Sequence, residues 1–180
     1  MTLQKTQDLA LEMGLGNMLR DFYDVCNRVP RDIYNTAQDN NSSIGAHMRH
    51  SLEFIQIIVE QAESGTIDYE SRIRNTIYES APEAAKIGFA KIIQQLTSLI
   101  DDMGANKVVE VMETPGFGIE KIPVASSLGR EVLFGIQHSI HHFAVVKILA
   151  ANNDIEFSKD FGVTSATQAH NKKLLKAAKA

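Results

Sequence analysis

The spacing of apolar residues is what most constrains this chain. In four long stretches they recur every three or four positions, the pattern of a helix with one buried face. The first stretch runs from about Gln4 to Arg28, with Leu9, Met13, Leu19, Phe22, Tyr23 and Cys26 on its stripe. Gly14 and Gly16 weaken its start, and Pro30 ends it. The second opens behind Asn40, Asn41, Ser42 and Ser43, whose side-chain oxygens suit an N-cap. It carries Ile44, His47, Met48, Ser51, Leu52, Ile55, Ile58, Val59 and Ala62, and Gly65 stops it. The third begins near Pro82 and buries Ile87, Phe89, Ala90, Ile93, Leu96, Leu99, Ile100 and Met103 before Gly104. The fourth follows Pro123, takes Ser126 or Ser127 as cap, and runs through Leu128, Val132, Leu133, Ile136, Ile140, Phe143, Val146 and Leu149 to about Ala151.

Between these stretches the pattern changes. Residues Ile67 to Pro82 form a mixed connection with room for a helical turn, where Glu70, Arg72, Arg74 and Glu79 read as solvated. Lys107 to Met112 and Gly116 to Ile122 gather β-branched residues around Thr114, Pro115 and Gly116, which predicts two short extended segments joined by a turn. After Asn152, Asn153 and Asp154 the chain reads as irregular, with Phe157, Phe161 and Val163 as anchors.

Four such helices can shield one another's stripes. The expected class is therefore all-α, a four-helix bundle with a short β-hairpin-like insertion before the last helix. The long connection between the second and third helices leaves room for those two to run parallel. At 180 residues the chain is one domain. Its ordered core is expected at about 4–167, followed by a basic tail, 168–180. The last eleven residues hold four lysines and no acid, which reads as a solvated or frayed end.

Composition removes several function classes. The net charge of −4 offers no positive field for a phosphate backbone, so nucleic acid is not an expected partner. A single cysteine excludes an internal disulfide framework and any Cys-rich zinc site. Residues Met1 to Gly16 lack the basic-then-apolar order of a secretory signal. No unbroken apolar run reaches the ~18–20 residues of a membrane span, and Lys147 interrupts the best candidate, Phe143 to Ala151. A cytoplasmic protein without a membrane partner is expected.

The chemistry lies in the histidines. Of the six, His47, His50, His138, His141 and His142 fall inside two predicted helices. His138 and His142, four apart, stack on one face about a turn apart, the spacing helical metal sites use. His47 and His50, three apart, share a face of the second helix. A third ligand from that helix would complete a three-nitrogen site and leave one coordination position open, as catalytic sites do. The same residues are also compatible with two polar layers whose rings are satisfied by hydrogen bonds. His141 falls off the shared face and is expected either to face outward or to bond a neighbouring element beside the pocket. Glu131 lies seven residues before His138 on the same face, where it could orient a ligand ring or pair with Arg130.

Other motifs read as structural. Gly116 and Gly118 form a short turn, not a phosphate loop. Cys26 lies among apolar neighbours and reads as an inert core thiol. The methionines read as core filler, and Tyr23, Tyr34, Tyr69 and Tyr78 as possible linings of a pocket mouth.

Two segments, SIGAHMRHSLEF (Ser43 to Phe54) and REVLFGIQHSIHHFAVVKIL (Arg130 to Leu149), resemble the signature helices of the DinB-like superfamily, which includes the DinB/YfiT proteins and metal-dependent thiol S-transferases. FGVTSAT (Phe161 to Thr167) is similar to its C-terminal segment, and IDYESRIRN (Ile67 to Asn75) to part of a bacterial sub-group. The resemblance spans about Ser42 to Thr167 and implies an up-down-down-up four-helix bundle. It implies a metal triad at His50, His138 and His142, with zinc or nickel as the ion, and places His47 in the surrounding pocket. It further implies a metal-dependent enzyme in which a small-molecule thiol or water attacks an electrophile. The alternatives are a non-catalytic metal-binding or stress-response protein and a metal-free, self-associating bundle. Apolar faces on the first and fourth helices point to a homodimer.

Overall fold

The structure is a computed structural model that describes residues 2–37, 42–74 and 76–177. Seven helices and three short strands occur among the described residues. Four helices are long: α1 (Leu3–Arg28), α3 (Ile44–Gln61), α5 (Pro82–Met103) and α6 (Leu128–Ala151). The short helices are α2 (Arg31–Asn35) and α4 (Thr76–Ser80), and the C-terminal helix is α7 (Ser165–Ala177).

The ends of the long helices follow from local chemistry. Ser43 caps α3 by accepting from the Ala46 N–H at 3.1 Å; Asn40 and Asn41, the other cap candidates, lie outside the described residues. Gly65 and Gly104 close the second and third stretches at φ of 83° and 75°, a conformation that glycine adopts without a Cβ penalty. At α6 the two serines divide the work. Ser127 caps the helix through the Arg130 N–H, while Ser126 turns instead to Glu131.

Contacts define how neighbouring helices run. His47 meets His142 and His50 meets His138, so α3 and α6 are antiparallel. Gly14 approaches Ile136, and Arg28 reaches the Glu156 carbonyl just beyond α6, so α1 and α6 are parallel. Phe22 of α1 stacks on Phe89 near the start of α5 with ring centroids 4.0 Å apart, while Asp8 accepts from Ala105 just past its end. Those two are antiparallel. Helix α4 lies against the start of both α3 and α5, through Glu79 beside Gly45 and Tyr78 beside Gly88. One contiguous core results, with Phe22, Phe89, Phe143, Leu52, Ile55, Ile58 and Leu96 fully buried.

The extended part differs from expectation. β2 (Val108–Glu113) matches the first predicted segment, but its partner β3 is Ile122–Ser127 rather than 116–122. Residues 114–121 are spent on the turn, where Ile119 bonds back to Gly116 and Gly118 takes φ of 76°. Pro123 is tolerated because β3 is an edge strand. A third strand, β1 (Thr66–Ile67), pairs parallel to β2 in the order β1-β2-β3. Two residues are too few to leave a periodic signal.

The C-terminal segment divides in two. Phe157 and Phe161 are buried and stack on one another at 4.3 Å, with Phe161 against Phe143. Lys147 satisfies this segment by donating to the Ser158, Lys159 and Phe161 carbonyls. The expected irregular tail is instead helical as α7, though none of its residues is buried. By length and composition α6 alone among the described residues could cross a membrane, because a helix-long average tolerates the charge that breaks an apolar run. Its buried positions, including Val132, Phe143 and Val146, lie in the common core.

Gly45 marks the tightest approach in the core. A Cβ there would lie 2.6 Å from Tyr34 Cε1 and would overlap the Glu79 carbonyl oxygen. Alanine gains roughly 1 kcal/mol of helix propensity over glycine. Overlap with backbone should exceed that, so Gly45→Ala is expected to destabilise the fold by about 1–3 kcal/mol. Equilibrium urea unfolding checks this, and a stabilised variant would refute the close packing of α4 on α3.

Candidate metal centre

The seam between α3 and α6 carries the imidazoles. Along α3, His47 and His50 sit nearly one turn apart, and along α6, His138 and His142 do the same. Because the helices are antiparallel, the early residue of one pair faces the late residue of the other. The seam closes tightly at Gly135, where a Cβ would lie 2.5 Å from Ile55 Cδ1.

Three ring nitrogens converge. His138 Nε2 lies 2.9 Å from His50 Nε2 and 3.2 Å from His142 Nε2. A ring nitrogen carries either one proton or one lone pair, so His138 Nε2 cannot give each neighbour its own well-formed hydrogen bond. One cation facing three lone pairs resolves the conflict. A tetrahedral ion with Zn–N bonds of ~2.05 Å separates its nitrogen ligands by about 3.3 Å, close to the spacing found. His50, His138 and His142 therefore form a cluster that could hold a metal ion, all three half-buried.

The remaining face of each ring is supported. His142 Nδ1 lies 2.9 Å from His47 Nδ1, so His47 can accept a proton shared from the far side of the His142 ring. His141 is exposed, with its ring against His142 at 5.4 Å. Phe54, one turn beyond His50, stacks on the His138 ring at 4.2 Å and meets His50 edge-on at 4.6 Å. Tyr69 stacks on Phe54 at 5.0 Å, and Phe134 flanks His138 at 5.7 Å. Of these three aromatic residues only Tyr69 was expected near a pocket; Phe54 and Phe134 were not expected to shape the site. For Phe54 the signal was its position four residues after His50.

Glu131 does something other than either role expected of it. It is buried, and it accepts from the Tyr69 hydroxyl at 2.7 Å and the Ser126 hydroxyl at 2.5 Å. It neither touches a ligand ring nor pairs with Arg130; it ties the β3 end and the α3–α4 connection to α6. Tyr69 is therefore locked as a donor, its hydroxyl pushed well above the ordinary range by burial and then by the Glu131 carboxylate. Tyr34, too, is fully buried rather than at a pocket mouth, donating to the Tyr78 carbonyl.

Charge around the site is also more buried than the sequence suggests. Arg74 and Glu70 are exposed, but the Arg72 side chain is 17% exposed and lies 5.0 Å over Phe54. Arg72 and Arg49 each approach the buried Glu53 carboxylate, at 3.8 and 3.9 Å, and Arg49 pairs with Glu79 at 3.2 Å. Burial, with these cations and the neighbouring rings, lowers the imidazoles. His50 falls to about 4 and His142 to about 3, each chiefly through desolvation; His47 and His138 are lowered for the same first reason. The rings are thus neutral at physiological pH, the state in which they ligate. Cys26 takes no part; burial pushes its thiol up to about 12.

Comparison with protein-family models, with curated proteins and with solved structures finds no match to this chain.

The lowered imidazoles set a pH dependence. Their folded values lie below the ~6.5 of an unfolded chain, so the unfolded state binds more protons between about pH 6.5 and the folded values. Stability from keeping these rings neutral is complete above about pH 6.5 and is lost as pH falls through that window. Metal-free protein should therefore show a falling urea midpoint from about pH 7 to about pH 5. A midpoint that stays flat in wild type would contradict the buried, neutral cluster.

Proposed function

We propose that the chain is a DinB-like, metal-dependent enzyme. His50, His138 and His142 would hold one divalent ion, zinc or nickel, and the substrates would be a small-molecule thiol or water and a small electrophile. The observation that carries this reading is the convergence of three Nε2 atoms, donated by two helices, at spacings of 2.9 and 3.2 Å. The helix directions support it. Taking α1 as up, α3 and α5 run down and α6 runs up, the order of an up-down-down-up four-helix bundle with the sheet inserted before its last helix.

An ion held by three neutral imidazoles keeps a position for an outside ligand and brings the pKa of a thiol or water there toward neutrality. The residues of the chain do the rest. His138 packs against Phe54 and Phe134, which touch each other and fix the orientation of its ring. His47 holds the far nitrogen of His142, so that its Nε2 faces His138. The Glu131–Tyr69–Phe54 chain of contacts keeps this aromatic wall in place.

Elemental analysis of protein expressed without an affinity tag should find about one zinc or nickel ion per chain, the stoichiometry of a mononuclear site. His142→Ala and His50→Ala should each lower metal affinity by at least about 100-fold while helix content is retained. Unchanged metal content in both variants would refute the ligand set. Turnover of a thiol with an electrophile, lost in His142→Ala, supports the enzyme reading. Metal at full occupancy with no turnover across a thiol panel would leave an ion that only stabilises the fold.

A further inference from the structure

The β2–β3 arm carries apolar side chains that nothing in the single chain covers. Phe117, at its tip between Gly116 and Gly118, is fully exposed, and its neighbour Ile119 is 56% exposed. Ile122 and Val124, paired across the arm with Glu113 and the buried Val111, are themselves 47% and 42% exposed. A lone exposed apolar residue is ordinary; an aromatic at the end of a projecting arm, followed by three more apolar side chains, marks an interaction surface.

A hollow suited to this tip lies at the other end of the arm. Ala10 and Leu11 of α1, Ala105, and Gly129 and Leu133 of α6 line an open, mainly apolar depression of about 430 Å³. Ala105 precedes β2 and Gly129 follows β3, so the depression sits at the base of the arm. Strands of six residues span about 20 Å. Knob and hollow are therefore separated by one arm length. Two copies related by a two-fold axis, with arms side by side and antiparallel, place each tip at the partner's base.

Charge follows the same polarity. The tip carries Glu113 and Glu120, with Lys121 already held by Asp68 at 2.7 Å and Glu70 at 3.2 Å. The base carries Lys107 and Arg130, both exposed, against one acid, Asp8, whose carboxylate is occupied by the Ala105 N–H. An antiparallel pairing sets the acidic end of each arm against the basic end of the other, whereas a parallel pairing would oppose like charges.

We propose that this face joins two copies of the chain into a homodimer, in which Phe117 of each copy seats in the Leu11–Leu133 hollow of the other. Association rests on the arm and on the starts of α1 and α6, and needs no metal. It makes specific the expectation that α1 and α6 self-associate, and it stands whether or not the histidine cluster holds an ion.

Light scattering coupled to gel filtration, on metal-loaded and metal-free protein, should give twice the chain mass of 19.9 kDa in both states. Phe117→Asp, and separately Leu133→Glu, should each raise the dimer dissociation constant by about 100-fold or more, the loss expected for a central anchor. Circular dichroism and metal content should stay at wild-type levels, since neither side chain belongs to the core or the histidine cluster. Ile87→Asp, on α5 at a position that its spacing places on the buried face but that is 71% exposed in the fold, should leave the dimer intact. A monomeric wild-type protein overturns the proposal. So does a dimer that survives both Phe117→Asp and Leu133→Glu, because its interface would then lie elsewhere.

Discussion

The antiparallel contact of α3 with α6 is the constraint on which the rest of the structure depends. Apolar side chains would make that seam more stabilising. Four imidazoles stand in it instead, each losing water that a neutral ring must regain through a neighbour. The losses are recovered in pairs: His47 with His142, and His50 with His138. A parallel arrangement would have set His47 beside His138 and His50 beside His142, with helix ends reversed and the early part of α3 no longer under α4. Gly135 allows the approach, since it is the position where the Ile55 side chain crosses the seam.

Support for the site comes from outside the two helices. Tyr69 and Arg72 belong to the connection between α3 and α4, and both reach Phe54, one by stacking and the other by lying over its ring. Tyr69 is then held by Glu131, which also holds Ser126 at the end of β3. The small sheet is thus joined to the wall of the histidine cluster by a buried carboxylate and two hydroxyls. Such a network resists rearrangement because a Tyr69 hydroxyl deprived of Glu131 would be left buried without a partner.

Much of the helical framework was legible locally. Caps, prolines and glycines act within a few residues of where they sit, so Ser43, Pro82, Gly65 and Gly104 mark helix ends directly in the chain. The face shared by His138 and His142 follows from helical spacing alone. The misses have a common origin in partners distant along the chain. β3 begins six residues later than its composition suggested because the turn takes what the strand lost. β1 exists only because β2 lies beside it. Arg72 is drawn in by Phe54 and Glu53, from nineteen residues or fewer upstream in sequence but on another element. Glu131 finds Tyr69, which no pattern near it announces.

By itself the sequence determined that the chain is mainly helical, where its long helices begin and end, and which histidines share a helix face. Each of these depends on spacing and on backbone chemistry within one or two turns. Only the tertiary structure decided that the two histidine faces meet, that three Nε2 atoms rather than any other set converge, and that Phe54 and Phe134 pack against the His138 ring with Tyr69 behind them. Those outcomes depend on the relative direction and register of helices joined by long connections, and they are set by packing across the whole core, which no local stretch of residues encodes.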